Sequence, residues 1–436
     1  MFVRNVPNCV FLAILFLMAP GVNDAALSEV SVPHEESSAT QVVKLDDLVR
    51  MALEKNPGIQ SKKRAYLAAQ SKVFGAFLPQ DPTFGVDVEG QPNIFDFGQR
   101  TDNELSVEQT IPFPSKLILK GIIAAKDAQV MYQQYKEEER DAIWHIEQPY
   151  YELILARKTI AALEETKGLL EQVVQSATSR YESGQTGQSD PLKAQIELSR
   201  VSIEIFDWKE KEHLAQAHFS HILNRSLEEE YKVEENIERS TLTYTRSELH
   251  QLVLEKRPEL KALSVAIEKA KANRSLARQE WLPDLSLRYE GRQRKGKDPI
   301  TEHDTFLGVT VPLWSLIRGV GGGWKSSNQE LASTEAAYDK VKNEALLKVH
   351  EAYSKLKSAE NAVSLFEKAI LPKGRQLVEL ALSSYEAGKG DFLSVVDAQR
   401  TLKAAKIEYC KSLANYEMAF SDLKFAVGDN LEGTRS

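Results

Sequence analysis

Apolar residues recur at helical spacing along two long stretches of the chain, and each stretch contains one short polar turn. The first stretch runs from Ser115 to Leu227, and its turn lies near residues 182–190. The second stretch runs from Trp324 to Val427 around a turn near residues 386–394. On both sides of each turn the apolar positions return mostly every three, four or seven residues, which predicts two long antiparallel helical hairpins with coiled-coil packing.

Four shorter segments instead alternate apolar and polar residues. They cover residues 83–90 and 103–111 in the first half of the chain and residues 285–291 and 305–311 in the second half. Alternation with a period of two predicts strands that have one apolar and one mostly polar face. The charged residues on the polar faces are Asp87, Glu89, Glu104, Glu108, Arg288 and Glu290.

The strand pattern alone fits two kinds of sheet. It fits two hairpins of a water-soluble sheet, and it fits strands of about 9 to 11 residues that cross a membrane at a tilt. Four strands are too few to close a barrel of about eight strands or more. If the strands cross a membrane, several copies of the chain therefore have to combine.

The order of elements shows that the chain is internally duplicated. The first repeat, residues 43–228, opens with a short leucine-rich helix that reaches Pro57, and the second repeat, residues 247–428, opens with a similar helix that reaches Pro258. Residues 229–246 join the repeats, and residues 429–436 form a tail. We expect Pro149 and Pro372 to kink their long helices. The sequence thus predicts a mostly α protein with a small β part.

The N-terminus has the pattern of a secretory signal. Arg4 precedes an apolar run from Val10 to Ala19, and small residues follow it, which predicts a signal peptide over residues 1–25. A polar linker over residues 26–42 separates it from the first repeat. The apolar run is shorter than the roughly 20 residues that a membrane-spanning helix needs, and no later segment comes close, so we expect an exported protein without a transmembrane helix.

Charge and reactive residues argue against several classes of function. The net charge is −8, whereas a nucleic-acid-binding protein is expected to carry a basic patch. Cys9 lies in the signal and leaves Cys410 as the single cysteine of the mature chain, which excludes an intrachain disulfide or a thiolate cluster. His213, His218 and His221 lie near each other but have no adjacent carboxylate or cysteine to complete a metal site. We therefore expect neither an enzyme nor a cofactor.

The chain resembles a known family, the TolC-type outer membrane efflux proteins, over essentially its whole mature length. The resemblance rests on the duplicated layout, on the tip motifs Tyr181-Glu182-Ser183-Gly184 and Tyr385-Glu386-Ala387-Gly388, and on Asp397-Ala398-Gln399. The joint Ile111-Pro112-Phe113-Pro114-Ser115-Lys116 is similar to the strand-to-helix joint of the heavy-metal branch, represented by CzcC and CusC.

The resemblance implies a homotrimer in the outer membrane of a Gram-negative-type cell. Its strands would contribute to one twelve-stranded transmembrane β-barrel, and its hairpins would form a helical barrel that extends into the periplasm. Such a passive exit duct would dock to a periplasmic adaptor (membrane fusion) protein and an inner-membrane pump of the resistance-nodulation-division type. It would export metal cations or small toxic compounds. The alternatives are the exit duct of a type I protein secretion system and a structural coiled-coil protein of the envelope.

The polar strand residues would then line a wet lumen, whose net negative charge would favour cations. In the family a constriction lies just after the second turn, at positions that correspond here to Ser394 and Asp397. A link between the hairpins corresponds to Tyr385 and Asp190. Ser394 departs from the acid found in the best-known member, and Lys193 lies opposite Asp397 in the repeat register. Alternatively, Asp190 and Asp397 are ordinary acids of a first helical turn, favoured by the helix dipole.

The two turns are also where the resemblance places adaptor docking. Four glycines suit a tight turn that needs positive φ angles: Gly184, Gly187, Gly388 and Gly390. The implied docking surface consists of Gly184, Gln185, Thr186 and Gly187 at the first tip and Gly388, Lys389 and Gly390 at the second.

Overall fold

The structure, a computed structural model, describes residues 43–89, 102–227, 231–233, 239–294, 300, 302–313 and 323–431. All of these residues fall in one compact unit. The signal segment 1–25 and the linker 26–42 that the sequence predicts lie outside the described residues.

The two halves contain the same succession of helices and strands. The first half consists of α1 (Leu45–Lys55), α2 (Pro57–Ala76), β1 (Thr83–Glu89), β2 (Asp102–Ile111), α3 (Pro114–Glu182) and α4 (Ser189–Ile222). The second half consists of α5 (Arg246–Lys256), α6 (Pro258–Gln279), β3 (Asp284–Arg294), β4 (Glu302–Thr310), α7 (Trp324–Leu365), a π-helical turn (Phe366–Ile370), α8 (Leu371–Glu386) and α9 (Phe392–Val427). The mostly α, duplicated fold with a small sheet is as predicted.

The short helices begin and end where their sequences supply caps. Asn56 follows α1, and its side chain accepts hydrogen bonds from the backbone N–H groups of Gly58 and Ile59 at the start of α2. In the second repeat, Thr245 and Glu248 form a capping box at the start of α5. Proline occupies the first position of both α2 and α6, where a missing N–H costs nothing.

The two internal prolines have different effects on the long helices. Pro149 lies inside α3, which continues through it for a total of 69 residues. Pro372 instead stands at the start of α8, directly after the π-helical turn Phe366–Ile370. Because proline has no N–H to donate, the ordinary helical hydrogen bond fails there, and a π-helical turn is one way in which a helix accommodates the loss.

The four strands form one antiparallel sheet in the order β1-β2-β3-β4. The first hairpin joins the second through β2 and β3, in a register that places Ser106 opposite Glu290 and Glu108 opposite Arg288. Because side chains alternate between the faces of a strand, this register brings the polar positions of both halves onto the same face of the sheet.

The hydrophobic core lies where the short helices meet the long ones. In the first half, Leu48 of α1 packs with Ile146 and Leu153 of α3 and Phe219 of α4. In the second half, Leu249 and Val253 of α5 pack with Val349, Ala352 and Leu356 of α7 and with Phe420 and Leu423 of α9. The core therefore joins the long hairpins at a level between the sheet and the tips.

Two arginines, one from each half of the chain, bind the end of α9. Arg140 of α3 donates to the backbone oxygen of Phe425 at 2.7 Å. Arg257, which precedes α6, donates to the backbone oxygen of Ala426 at 3.0 Å. Because the last carbonyls of a helix lack partners inside the helix, two cations at this end satisfy them and favourably face the helix dipole.

A buried carboxylate holds the segment before α5 against α9. Glu417 is 1% exposed and accepts hydrogen bonds from the backbone N–H and the hydroxyl of Ser240 at 3.0 and 2.8 Å. Burial raises the pKa of Glu417, and the two bonds from Ser240 oppose this shift without cancelling it. Glu417 is thus a buried acid whose charged form is costly.

Candidate functional site

The sheet has one charged face and one apolar face, and the apolar face is open. Phe84 of β1 is 71% exposed and Leu307 of β4 is 74% exposed, and no described element covers them. The other exposed apolar side chains on this face are Val86, Leu105, Ile111, Leu285, Leu287, Tyr289, Val309 and Val311. A soluble sheet would bury such a face against a core, so this arrangement favours contact with an apolar environment.

The opposite face carries a network of charges. Glu104 lies 3.6 Å from Arg288 and 3.3 Å from Arg292, and Arg288 also pairs with Glu290. Asp87 and Glu108 are exposed on the same face. Five of the six residues predicted to face a lumen therefore share one face. The side chain of the sixth, Glu89, lies outside the described residues, although its backbone pairs with Asp102 in β2.

None of the helices in the described part of the chain combines the length and the apolar character needed to cross a bilayer. The described residues likewise contain no cluster of three or more His, Cys, Asp or Glu side chains that could hold a metal ion.

The two hairpin tips are built by the same hydrogen-bond pattern. At the first tip, Gly184 N–H donates to Tyr181 O at 2.9 Å and Gln185 N–H donates to Arg180 O at 2.8 Å. At the second tip, Gly388 N–H donates to Tyr385 O and Lys389 N–H to Ser384 O, both at 2.9 Å. Both are Schellman motifs, in which the residue after the helix adopts a left-handed conformation.

The predicted role of the tip glycines holds for two of the four. Gly184 and Gly388 have φ angles of 74° and 69°, which glycine adopts without strain. Gly187 and Gly390 do not have positive φ, so that prediction was wrong for them. Gly390 is small for another reason, because a Cβ there would lie 3.0–3.1 Å from atoms of Ser384 and Tyr385.

The second tip packs against the first through Tyr385. Its side chain is 3% exposed and lies in a cluster with Val173, Ala177 and Ala194 of the first hairpin and Phe392, Val395 and Val396 of α9. Arg180 of α3 donates to the backbone oxygen of Tyr385 at 2.6 Å, and its guanidinium lies over the Tyr385 ring at 4.5 Å. The tips of the two hairpins are thus in direct contact.

The link expected between Tyr385 and Asp190 is not formed as a hydrogen bond in this structure. The Tyr385 hydroxyl is buried without a partner among the described residues, and Asp190 instead accepts from Ser189 at 3.2 Å. Burial raises the pKa of Tyr385, and the charges of Asp190 and Asp391 raise it further while Arg180 opposes them. Asp190 therefore does not bind the Tyr385 hydroxyl in this structure.

The remaining predicted gate residues lie on exposed helix faces. Ser394 and Asp397 are exposed on α9, one turn apart, and Lys193 is exposed on α4. Lys193 and Asp397 form no ion pair within the described chain. All three side chains are exposed in the single chain, so a neighbouring copy or a solute could reach them.

Sequence analysis missed a set of ion pairs that join α4 to α9 behind the tips. Glu197 of α4 is 7% exposed and contacts Arg400 of α9 and Arg200 of its own helix. Three residues further along α9, Lys403 lies 2.6 Å from Glu204, which is seven residues beyond Glu197 on α4. The hydrogen bond from Arg400 lowers the pKa of Glu197, and the nearby cations reinforce this shift against the effect of burial. Opposite charges at helical spacing on α4 and α9 were the available signal, but it became specific only once the two helices were placed side by side.

Comparison with known proteins agrees with this architecture. Residues 249–429 match the family model described as outer membrane efflux protein. The cobalt-zinc-cadmium resistance protein CzcC of Cupriavidus metallidurans is 22% identical over 286 residues, covering 64% of this chain and 66% of that protein. The alkaline protease secretion protein AprF of Pseudomonas aeruginosa is 21% identical over 310 residues, covering 68% of this chain and 63% of that protein. The matches thus span just under two thirds of the length of each relative.

The fold has solved counterparts. A structure of CusC, solved in a study of its folding and transmembrane channel formation, matches with a TM-score of 0.78 at 15% identity and covers 90% of this chain and 96% of that chain. The fold expected from the resemblance is therefore confirmed. The description of the matching family model agrees with the predicted localisation in the outer membrane.

Proposed function

We infer that this chain, whose residues 249–429 match the outer membrane efflux protein model, is a member of the TolC-type family and forms the passive exit duct of a tripartite efflux system. The observation that carries this inference is the sheet, which has a charged face, an exposed apolar face and long helical hairpins below it. A protein of this shape suits a water-filled path with lipid around its upper part.

The sheet supports a trimer. In the described sheet, β1 and β4 each pair on one side only, so each protomer offers two open edges. Unpaired strand edges are costly in a bilayer, where water cannot satisfy their N–H and C=O groups. Pairing β1 of one copy with β4 of the next would close three sheets into a barrel of twelve strands. In this barrel the apolar faces meet lipid and the charged faces line the lumen.

The hairpins support a conduit below the barrel. The helix α3 contains 69 residues, which correspond to roughly 100 Å at about 1.5 Å for each residue. Three copies would supply six hairpins as the wall of a tube. We propose that the tube crosses the periplasm and that its tips meet a periplasmic adaptor, which connects it to an inner-membrane pump of the resistance-nodulation-division type. The glycine-containing turns of the two tips are the proposed docking surface.

The cargo we propose is metal cations or small toxic compounds. The name of CzcC points to metals and that of AprF points to protein secretion, while the Pro-Phe-Pro-Ser-Lys joint favours the metal branch. Deletion of the gene should therefore increase sensitivity to at least one of zinc, cobalt, nickel, copper and silver. Unchanged growth on all five salts, together with loss of a secreted protein, would instead support the secretion alternative.

We further propose that Ser394 and Asp397 form a constriction in the trimer. Both are exposed on the same face of α9, and three copies of Asp397 would form a ring of carboxylates that binds cations. The purified trimer in planar bilayers should therefore conduct cations and be blocked by Mg²⁺. Asp397→Asn should weaken this block about tenfold, equivalent to about 1.4 kcal/mol of binding free energy, and should raise the conductance.

A matched control is available on the same helix. Glu408 is an exposed acid that pairs with Lys411 of its own helix and lies 11 residues beyond Asp397, about 16 Å along α9. Glu408→Gln removes the same charge away from the proposed constriction and should leave Mg²⁺ block at the parent value. An equal effect of both substitutions would mean that Asp397 acts only through the overall charge of the wall.

A further inference from the structure

We propose that Arg180 is a positioning residue that clasps the two hairpin tips of each protomer together and so holds the duct closed. This inference rests on the proposed function as a duct. It deepens that function by naming the contact that has to break before the tips can separate.

The contact joins the ends of two helices from different repeats. Arg180 stands in the last turn of α3, and its acceptor is the backbone oxygen of Tyr385 in the last turn of α8, at 2.6 Å. The negative end of a helix favours a nearby cation, and the guanidinium also lies over the Tyr385 ring at 4.5 Å. The hydrogen bond and the ring contact depend on the same position of the second tip, so both are lost together when it moves.

Arg180 contacts the backbone oxygen and the ring of Tyr385 but not its hydroxyl. Both the Tyr385 hydroxyl and Nε of Arg180 are buried without partners among the described residues. The hydroxyl therefore contributes no hydrogen bond to the contact between the tips in this structure. The attachment depends on the guanidinium, which can donate to a carbonyl and stack on an aromatic face at the same time.

The clasp is also one-sided. The position in the second repeat that corresponds to Arg180 is Ser384, because the motifs at Tyr181 and Tyr385 align. Serine is too short to reach a neighbouring hairpin in the same way. The next charged contacts between the hairpins, Arg400 with Glu197 and Lys403 with Glu204, lie deeper along α4 and α9. Loss of Arg180 should therefore loosen the tip and leave the rest of the wall in place.

The test is single-channel recording of the purified trimer in planar bilayers. A hydrogen bond from a charged group is strong enough that its loss should shift the ratio of open to closed states about tenfold or more. Arg180→Met should raise the open probability by this factor. Arg180→Lys should give a smaller increase, because lysine keeps the cation but loses the planar group that stacks on Tyr385.

Two further variants distinguish the clasp from a general loss of positive charge and from a role of the Tyr385 hydroxyl. Arg375→Met removes the same type of side chain from an exposed position of α8, ten residues before Tyr385, and should leave the open probability at the parent value. Tyr385→Phe removes only the unpartnered hydroxyl and should open the pore far less than Arg180→Met. If Tyr385→Phe opens the pore as much as Arg180→Met does, or if Arg180→Met behaves like Arg375→Met, the proposal is wrong.

Failure of the proposed duct function can be distinguished from failure of the proposed role of Arg180. If the parent protein forms no channel in the bilayer, the proposed function fails. If the parent conducts and Arg180→Met does not change its gating, only the clasp fails. Should Arg180→Met not assemble into trimers, the milder Arg180→Lys variant decides, and an open probability equal to the parent value would then overturn the clasp.

Discussion

Replacing Lys116 with methionine should destabilise the joint between the sheet and the long helices. Lys116 lies in the first turn of α3 with its side chain 9% exposed. It donates to the backbone oxygen of Leu282 at 2.7 Å and to the carboxylate of Asp284 at 2.9 Å. Asp284 in turn accepts from the backbone N–H of Phe113 at 2.9 Å. One lysine from the first repeat thus fixes the turn between α6 and β3 of the second repeat.

The size of the effect follows from these contacts. Each hydrogen bond to a charged group is worth about 1.5–3 kcal/mol, but Asp284 keeps the Phe113 N–H and its access to water, and methionine keeps the packing of the stem. We therefore expect Lys116→Met to lower the free energy of unfolding by about 2–3 kcal/mol per protomer. With an unfolding entropy near 2.1 cal/mol/K per residue, this loss lowers the thermal midpoint by about 2–3 °C.

The assay is thermal unfolding of the detergent-solubilised trimer, followed by circular dichroism. Lys120 lies one turn along α3 and is exposed, so Lys120→Met is a matched control and should shift the midpoint by less than about 1 °C. The double variant Lys116→Met/Asp284→Asn should lose less than the sum of the single variants, because it leaves no unpaired charge. Equal shifts for both lysine variants, or strictly additive losses in the double variant, would refute the importance of this ion pair.

Two other predictions concern the tip and the buried acid. Gly388→Ala should cost about 1–2 kcal/mol, since its φ of 69° is unfavourable for alanine, whereas Gly187→Ala, which has no positive φ, should be nearly neutral in the same unfolding assay. Because burial raises the pKa of Glu417 in the folded state, the stability of the parent should fall as pH rises from about 4.3, the pKa of an unfolded glutamate, through the raised folded value. Glu417→Gln should lack this pH dependence, and parallel stability profiles from pH 4 to 8 would contradict the assignment.

The helices, strands and turns of the fold could be predicted from the sequence because each depends on residues that are close together in the chain. Apolar spacing marked the hairpins, alternation marked the strands, and Pro57 and Pro258 marked the helix boundaries in both repeats. Gly184 and Gly388 were recognisable because a Schellman turn needs a left-handed residue at a fixed place. Each of these features depends on residues close together in the chain, so each can be found from the sequence.

The contacts of the candidate site were harder to predict because they join residues about two hundred positions apart. The acceptor of Arg180 is a backbone carbonyl, which every residue has, so no motif could reveal it. The link between Tyr385 and Asp190 was expected by analogy, but the structure places Tyr385 against Arg180 instead. Gly187 and Gly390 failed as predictions because a glycine can be required for space or for φ, and the sequence does not distinguish the two.

The charged contacts between the hairpins also show how the two repeats have diverged. In the repeat register, Ile196 corresponds to Arg400 and Thr401 corresponds to Glu197. An unchanged duplication would place the same ion pair between the second hairpin of one protomer and the first hairpin of the next. In this chain Ile196 and Thr401 stand at those two positions, and neither side chain can form an ion pair.

The contact made by Arg180 is likewise not repeated between protomers, because Ser384 occupies the corresponding position of the second repeat. In the proposed trimer, the contacts between the two hairpins of one protomer would therefore carry these charges. The contacts between hairpins of neighbouring protomers would lack them, and the two kinds of seam would alternate around the tube. Ile196 is 54% exposed in the single chain, as expected for a side chain that meets a neighbouring copy. The side chains of Arg400 and Glu204 are 47% and 36% exposed, so salt screens these ion pairs in part, whereas it acts little on apolar contacts. High ionic strength should consequently weaken the seams inside each protomer more than the seams between protomers, so the tips of one chain would part before the trimer does.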